Sequence, residues 1–296
     1  MAAKSSTRRK AASPAWVVLK FGGTSVSSVE RWETIAALVR QRLAEGLRPV
    51  VVHSALATVS NKLDELLHRA LEMDVTAQVA GIRELHLRLA AGLQVDGEKE
   101  LGGYFRELEQ LLAGIHLIRE VSPRIQARVM GLGELMATRL GAAYLARVGL
   151  KVTWLDAREL LRSNMPPGTN ERSAWLAANC DFDPDAELQA RFAAEAGVVL
   201  TQGFIASNAR GDGVLLGRGG SDTSGAYFAA KLQAAVLEIW TDVPGMFTAN
   251  PKVVPGARLL RLLSYEEAQE IASTGGSVLH PRCIRPCKRH DIPLKV

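Results

Sequence analysis

Residues 16–26 read Trp-Val-Val-Leu-Lys-Phe-Gly-Gly-Thr-Ser-Val. The run Trp16–Lys20 is short, apolar and rich in β-branched side chains, the pattern of a buried strand. Two glycines follow, and then an amphipathic stretch from Val26 to Leu43 reads as a helix. Arg48–His53 (RPVVVH) repeats the theme as a second strand, with another helix expected from about Ser60. Parallel strands need a crossover and a helix supplies it, so this strand–loop–helix repetition points to a parallel sheet in an α/β fold.

Working outward, 61–149 is almost entirely helical in pattern. Ser122-Pro123 is a good helix start, a capping side chain followed by proline at the first helical position. That helix is expected to carry Glu134 and to run to about Arg147. Strands resume at Lys151–Leu155, Val198–Thr201, near Val214–Leu216 and at Val236–Trp240. Gly211-Asp212-Gly213 is a hairpin-type turn signal. Ser264–Ala272 and Pro281–Arg289 read as helices, and 292–296 (IPLKV) as a strand. The expected architecture is one unit over 16–296, a three-layer αβα sandwich around a mainly parallel sheet, with a helical lobe at about 61–149.

The totals narrow the function. The chain has 296 residues, 47% of them hydrophobic, enough for a sizeable core. No apolar run reaches the roughly 18 residues that would span a bilayer, so no membrane role is expected. The net charge of +5 invites a nucleic-acid reading. However, Lys4, Arg8, Arg9 and Lys10 sit in the tail 1–15, which is expected to be disordered. Without them 32 basic residues face 31 acidic ones, and no nucleic-acid footprint remains. The three cysteines, 180, 283 and 287, are too few for a disulfide framework and suggest a reduced, cytoplasmic compartment.

Two glycine-rich junctions carry the chemistry. In Lys20–Ser25 (KFGGTS) glycines let backbone N–H groups approach a phosphate, beside the compact charge of Lys20. In Gly217–Asp222 (GRGGSD) a strand turns through glycines into a helix, whose first N–H groups favour an anion. Arg218 and Asp222 flank that spot, which suits a ligand with both a carboxylate or phosphate and an amine. Taken alone, the first junction also suits a plain turn, and the second an Arg–Asp ion pair. Glu134 reads either as an exposed helix glutamate or as a buried partner for an ammonium group. Thr241 and Asp242 end an apolar strand before Pro244-Gly245, where α/β sheets place ligands. His280, Cys283, Cys287 and His290 mimic a zinc set, but spread along about 15 Å of helix they cannot gather around one ion. No metal site is assigned.

In this order the segments VLKFGGTSV (18–26), VVHSALATVSN (51–61), GELMATRL (133–140), TQGFIASN (201–208), LGRGGSDTSGA (216–226), WTDVPGMFTANPKVVPGA (240–257) and VLHP (278–281) make the chain similar to the aspartate kinase catalytic domain of the amino acid kinase family. The resemblance implies about eight strands, ATP and L-aspartate as substrates, and 4-phospho-L-aspartate as product, the first step towards lysine, threonine and methionine. It implies Mg²⁺ held mainly by the ATP phosphates, and a homodimer. It assigns Lys20 to the transferring phosphate and Arg218 to the α-carboxylate of aspartate. Asp222 and Glu134 match the acids near the ammonium group and the phosphate-binding lysine, with Lys20 and Asp222 as the catalytic pair. Ser60, Phe204 and Ser221 match further substrate positions. Gly22, Gly23, Thr241, Asp242, Phe247 and Lys252 match the nucleotide side.

Departures gather on that nucleotide side. Phe247, Asn250 and Lys252 stand where the family has Tyr, Asp and Arg, and Ser277 replaces a lysine. Lys252 or Arg282 would be the residue to restore the charge. The regulatory ACT domains that usually follow are absent from this sequence, and a fused downstream domain such as a decarboxylase would fit that edge. Two rivals stand beside an aspartate kinase: a kinase for an acylated substrate such as acetylglutamate, and a non-catalytic ligand-binding module.

Overall fold

The computed structural model describes residues 15–250, 253–274 and 278–296. The tail up to residue 14, Lys252 and Ser277 lie outside these. The chain begins with β1 (Trp16–Phe21), α1 (Val29–Ala44) and β2 (Arg48–His53). Four helices follow, α2 (Val59–Ala70), α3 (Thr76–Gly92), α4 (Gly97–Ile118) and α5 (Pro123–Arg147). Then come β3 (Val152–Trp154), α6 (Ala157–Leu160), β4 (Ser163–Asn164), α7 (Glu171–Leu176), β5 (Asn179–Cys180) and α8 (Ala186–Ala194). The second half holds β6 (Val198–Gln202), β7 (Ile205–Ser207), β8 (Gly213–Leu215), α9 (Gly220–Leu232) and β9 (Val236–Trp240). It closes with α10 (Tyr265–Ser273), α11 (Pro281–Arg289) and β10 (Leu294–Lys295).

Six strands form one parallel sheet in the order β10-β9-β1-β2-β6-β3. Val17–Leu19, Val50–Val52 and Val198–Leu200 are buried, as strands covered on both faces must be. Lys20 reaches toward α9, where Nζ meets Asp222. Phe21, the next residue, pairs with His53, whose ring meets Trp32 of α1 edge-on at 5.3 Å. Successive residues of a strand face opposite ways, so α9 and α1 cover opposite faces and the unit has three layers. α5 lies on the α1 side, since a Cβ added at Gly141 would come within 2.9 Å of His53 Nε2.

The helical lobe is α2–α5, inserted between β2 and β3. Ser122 caps α5 by accepting from Ile125 N at 3.3 Å, with Pro123 in the first turn. The first helix starts at Val29 rather than Val26, because Ser28 takes the capping role and Thr24–Val26 form a single 3₁₀ turn. The central sheet has six strands among the described residues, fewer than the eight the resemblance implied. The reason lies at Phe204, whose φ of 67° turns the chain out of the sheet directly after β6. β7 and β8 then pair with each other antiparallel, around a turn where Asn208 Oδ1 accepts from the N–H groups of Arg210 and Asp212.

Candidate active-site cleft

The carboxyl ends of β1, β2 and β6 open into a cleft of about 860 Å³. Lys20, Gly22, Gly23, Ser60, Glu134, Phe204, Arg218, Ser221 and Asp222 all line it. Residues from five separate segments of sequence therefore converge, at the edge where parallel sheets place ligands.

Lys20 ends β1 and is 8% exposed. Its Nζ lies 2.6 Å from Asp222 Oδ1, in the first turn of α9. A Cβ at Gly22 would sit 3.8 Å from the same Nζ, and one at Gly23 would press on the Ala55 carbonyl at 2.8 Å. Gly23 thus lets this loop pass tightly against the Ala55–Ala57 backbone, with Gly22 in ordinary contact with the lysine. Across the cleft, Gly217 (φ 73°) and Gly219 (φ 67°) turn the chain from β8 into α9. A Cβ at Gly219 would lie 2.5 Å from His280 Cδ2, so only glycine fits beneath that ring. Ser221 Oγ accepts from Ser54 Oγ at 2.9 Å, and Phe204 N donates to Ser224 Oγ at 2.9 Å. These bonds tie the ends of β2 and β6 to the start of α9.

Glu134 is buried in the middle of α5. Ala55 N donates to its Oε1 at 3.3 Å, whereas Oε2 has no partner. Burial pushes the carboxyl up to about 8, and the Ala55 hydrogen bond opposes this only in part. His53 supports the floor of the site. A carbonyl can only accept, so its Nδ1–H donates to Ser54 O at 2.9 Å. Burial holds this imidazole down at about 4, hence neutral. Arg218 is exposed at the cleft, with no ion pair or hydrogen bond to its guanidinium among the described residues.

Of the residues matched to the nucleotide side, Gly22 and Gly23 line the cleft, whereas Thr241, Asp242 and Phe247 lie apart from it. Thr241 opens to a separate pocket with Trp240 and Arg42. Its hydroxyl donates to Asp242 Oδ1 at 3.2 Å. Phe247 pairs with Leu259 in an isolated antiparallel bridge. Arg282 is committed elsewhere: it donates to the Leu216 carbonyl, to Ala178 O at 2.8 Å and to Asn179 Oδ1 at 2.7 Å. It therefore pins the β8 end rather than standing free for phosphate. In the zinc-like set, His280 caps α11 by accepting from Arg282 N, and Cys283 and Cys287 are buried thiols raised by burial.

Sequence reasoning missed Ser54, Gln126, Met130 and Arg172, which also line the cleft. Gln126 and Met130 precede Glu134 by eight and four residues, one stripe of α5, so the helical period carried a usable signal. Arg172 carried none.

A parallel sheet between two helical layers, with two glycine junctions converging on a lysine–aspartate pair at its strand ends, makes this a three-layer α/β protein with a candidate ligand cleft. The chain belongs to the amino acid kinase family, whose profile matches residues 15–296. It is 34% identical to a bifunctional aspartokinase/homoserine dehydrogenase of Arabidopsis thaliana over 95% of this chain and 31% of that protein. It is also 34% identical to the lysine-sensitive aspartokinase 3 of Escherichia coli, over 95% of this chain and 61% of that one. The crystal structure of E. coli aspartokinase III in complex with aspartate and ADP superposes with a TM-score of 0.81 at 33% identity, covering 94% of this chain and 60% of that one. The chain thus spans roughly a third to three fifths of the length of such relatives. No helix among the described residues is long and apolar enough to cross a membrane.

Proposed function

We propose that this chain is an aspartate kinase catalytic domain, spanning 16–296 with its helical lobe. It transfers the γ-phosphoryl group of ATP to the side-chain carboxylate of L-aspartate, in the cytoplasm and as a homodimer. The observation that carries this reading is the convergence of the Lys20–Asp222 pair, the unpartnered Arg218 and the buried Glu134 in one cleft. Together they match an amino acid's carboxylate and ammonium next to a phosphate site. The relatives named above, one of them holding aspartate and ADP, support the same substrates.

The chemistry asks little of acid–base groups. A side-chain carboxylate with an ordinary pKa of about 3.9 is already ionised at neutral pH, so no general base is required. Catalysis then rests on positioning and charge neutralisation in a loose transition state. Asp222 fixes Lys20 Nζ above Gly22, at the mouth of the first glycine turn, where it can follow the moving phosphoryl group. The first N–H groups of α9 and the Gly22–Gly23 backbone offer donors to phosphate oxygens. Arg218 takes the α-carboxylate, and Glu134 Oε2 takes the ammonium. Free Arg218 and Glu134 favour an amino acid with both charges over an acylated one.

Among the described residues no three His, Cys, Asp or Glu side chains converge. Mg²⁺ is assigned to the ATP phosphates on resemblance, where it would screen their charge. Phe247, Thr241 and Asp242 are assigned to the nucleotide on resemblance.

A coupled ADP-release assay with L-aspartate tests the reading, with hydroxylamine trapping of the acyl phosphate. Lys20→Ala should cut the rate by at least ~100-fold, since a preorganised transition-state charge is removed. Equal rates in wild type and variant would refute the role of Lys20. An absence of aspartate-dependent ADP release would refute the kinase itself.

A further inference from the structure

Six ionisable side chains line the cleft: Lys20, Asp64, Glu134, Arg172, Arg218 and Asp222. Lys20 and Asp222 neutralise each other. Asp64 accepts from Gln126 Nε2 at 3.4 Å. Two cations are left without a partner among the described residues, Arg218 and Arg172, and both are exposed to the cleft.

The placement of Arg172 follows from how α7 is held. Trp175 buries its ring beneath the helix. Ala178 N donates to Leu215 O at 2.8 Å, and Arg282 grips Ala178 O and Asn179 Oδ1. The end of α7 touches the glycine turn itself, since a Cβ at Gly217 would lie 3.2 Å from Ala177 Cα and 3.4 Å from Leu176 O. Arg172 and Leu176 are four residues apart, one helical turn, and both face the cleft. Arg172 therefore stands about one turn of helix, ~6 Å, from Leu176, the residue whose carbonyl touches the turn that carries Arg218. Its backbone is anchored and its guanidinium is free.

We propose that Arg172 is a second substrate-binding cation, which shares the α-carboxylate of the amino-acid substrate with Arg218. The proposal rests on the aspartate kinase reading and extends it to a residue outside the glycine junctions. Sheet order sets it apart from the Thr241 end of the nucleotide side. α7 packs against α5 and β8, on the β2–β6 side of β1, whereas the strand ending at Thr241 is β9, on the other side of β1. Charge argues the same way. An amino-acid substrate with two carboxylates and one ammonium brings one net negative charge. With Lys20 already balanced by Asp222, loss of Arg172 would leave Arg218 alone against Asp64, an ionised Glu134 and that substrate charge. A carboxylate has two oxygens and about four lone-pair sites, so two guanidinium groups can share it without competing.

The test measures kcat and KM for both substrates in wild type, Arg172→Gln and Arg172→Lys. It adds the inhibition constant of β-alanine, which is aspartate without its α-carboxylate. Loss of a charge-assisted bond should raise KM for L-aspartate about tenfold in Arg172→Gln. KM for ATP and the β-alanine constant should stay within about twofold, and Arg172→Lys should fall between, since it keeps the charge and loses the fork. An unchanged aspartate KM, a rise in the ATP KM instead, or an equal rise in the β-alanine constant would each overturn the assignment while leaving the kinase reading intact. If the wild-type protein releases no ADP with aspartate, the kinase reading fails and this proposal fails with it.

Discussion

The carboxyl of Glu134 makes a quantitative demand. It is held at about 8 instead of its ordinary 4.5, mainly by burial, yet it must be ionised to pair with an ammonium. Affinity for aspartate should then rise about tenfold per pH unit up to pH 8 and level off above it. On this account KM at pH 6 is of the order of 100 times that at pH 9, and binding at pH 7 releases about 0.9 proton. Calorimetry in two buffers of different ionisation enthalpy reads the proton release directly. Glu134→Gln should abolish it and flatten the KM profile, while raising KM at pH 9. The same group shapes stability, with a definite sign. A carboxyl whose folded-state pKa is raised stabilises the fold below about 4.5, and that contribution is lost as pH rises through 8. At about 1.4 kcal/mol per tenfold change in proton affinity, the loss is about 5 kcal/mol as an upper bound. Urea unfolding at pH 5 and pH 9 should show wild type losing more stability than Glu134→Gln, with aspartate restoring it. A flat aspartate KM between pH 6 and 8, together with no proton release, would refute the role of Glu134.

Two further outcomes follow from the packing around the glycine turn. Gly219→Ala combines a left-handed backbone with a Cβ that overlaps the His280 ring and displaces the cap of α11. It should cost about 2–4 kcal/mol in urea unfolding. Gly46→Ala, with φ 76° but open space around it, should cost only about 1–2 kcal/mol, and equal losses would mean that the His280 contact is not tight. Arg282→Met removes the guanidinium bonds to Leu216, Ala178 and Asn179. It should raise KM for aspartate more than KM for ATP, because the strap that seats α7 against Gly217 loosens. A larger effect on ATP would place Arg282 at the nucleotide after all.

Much of the frame was legible before any coordinates. Trp16–Phe21, Arg48–His53 and Val198–Gln202 declare themselves as β-branched runs, and Ser122-Pro123 announces the helix that carries Glu134. The shortfall in the central sheet was not legible. Phe204 carries no glycine-like signal, yet it adopts a left-handed conformation, and the hairpin leaves the sheet there. The nucleotide side was legible only as resemblance, and Thr241, Asp242 and Phe247 do not line the cleft that holds the other residues.

What the sequence determined by itself was the local part: strand and helix types, their caps, and the two glycine junctions with Lys20, Arg218 and Asp222 inside them. These follow from short-range sterics and hydrogen bonding, which neighbouring residues dictate. Only the tertiary structure decided that Glu134 is a buried, proton-holding group rather than an exposed helix glutamate. It alone decided that Lys20 pairs with Asp222 across 202 positions of chain, that Arg282 is spent on carbonyls, and that Arg172 faces the cleft. Burial and charge partners arise from segments brought together by packing, and no local pattern encodes them.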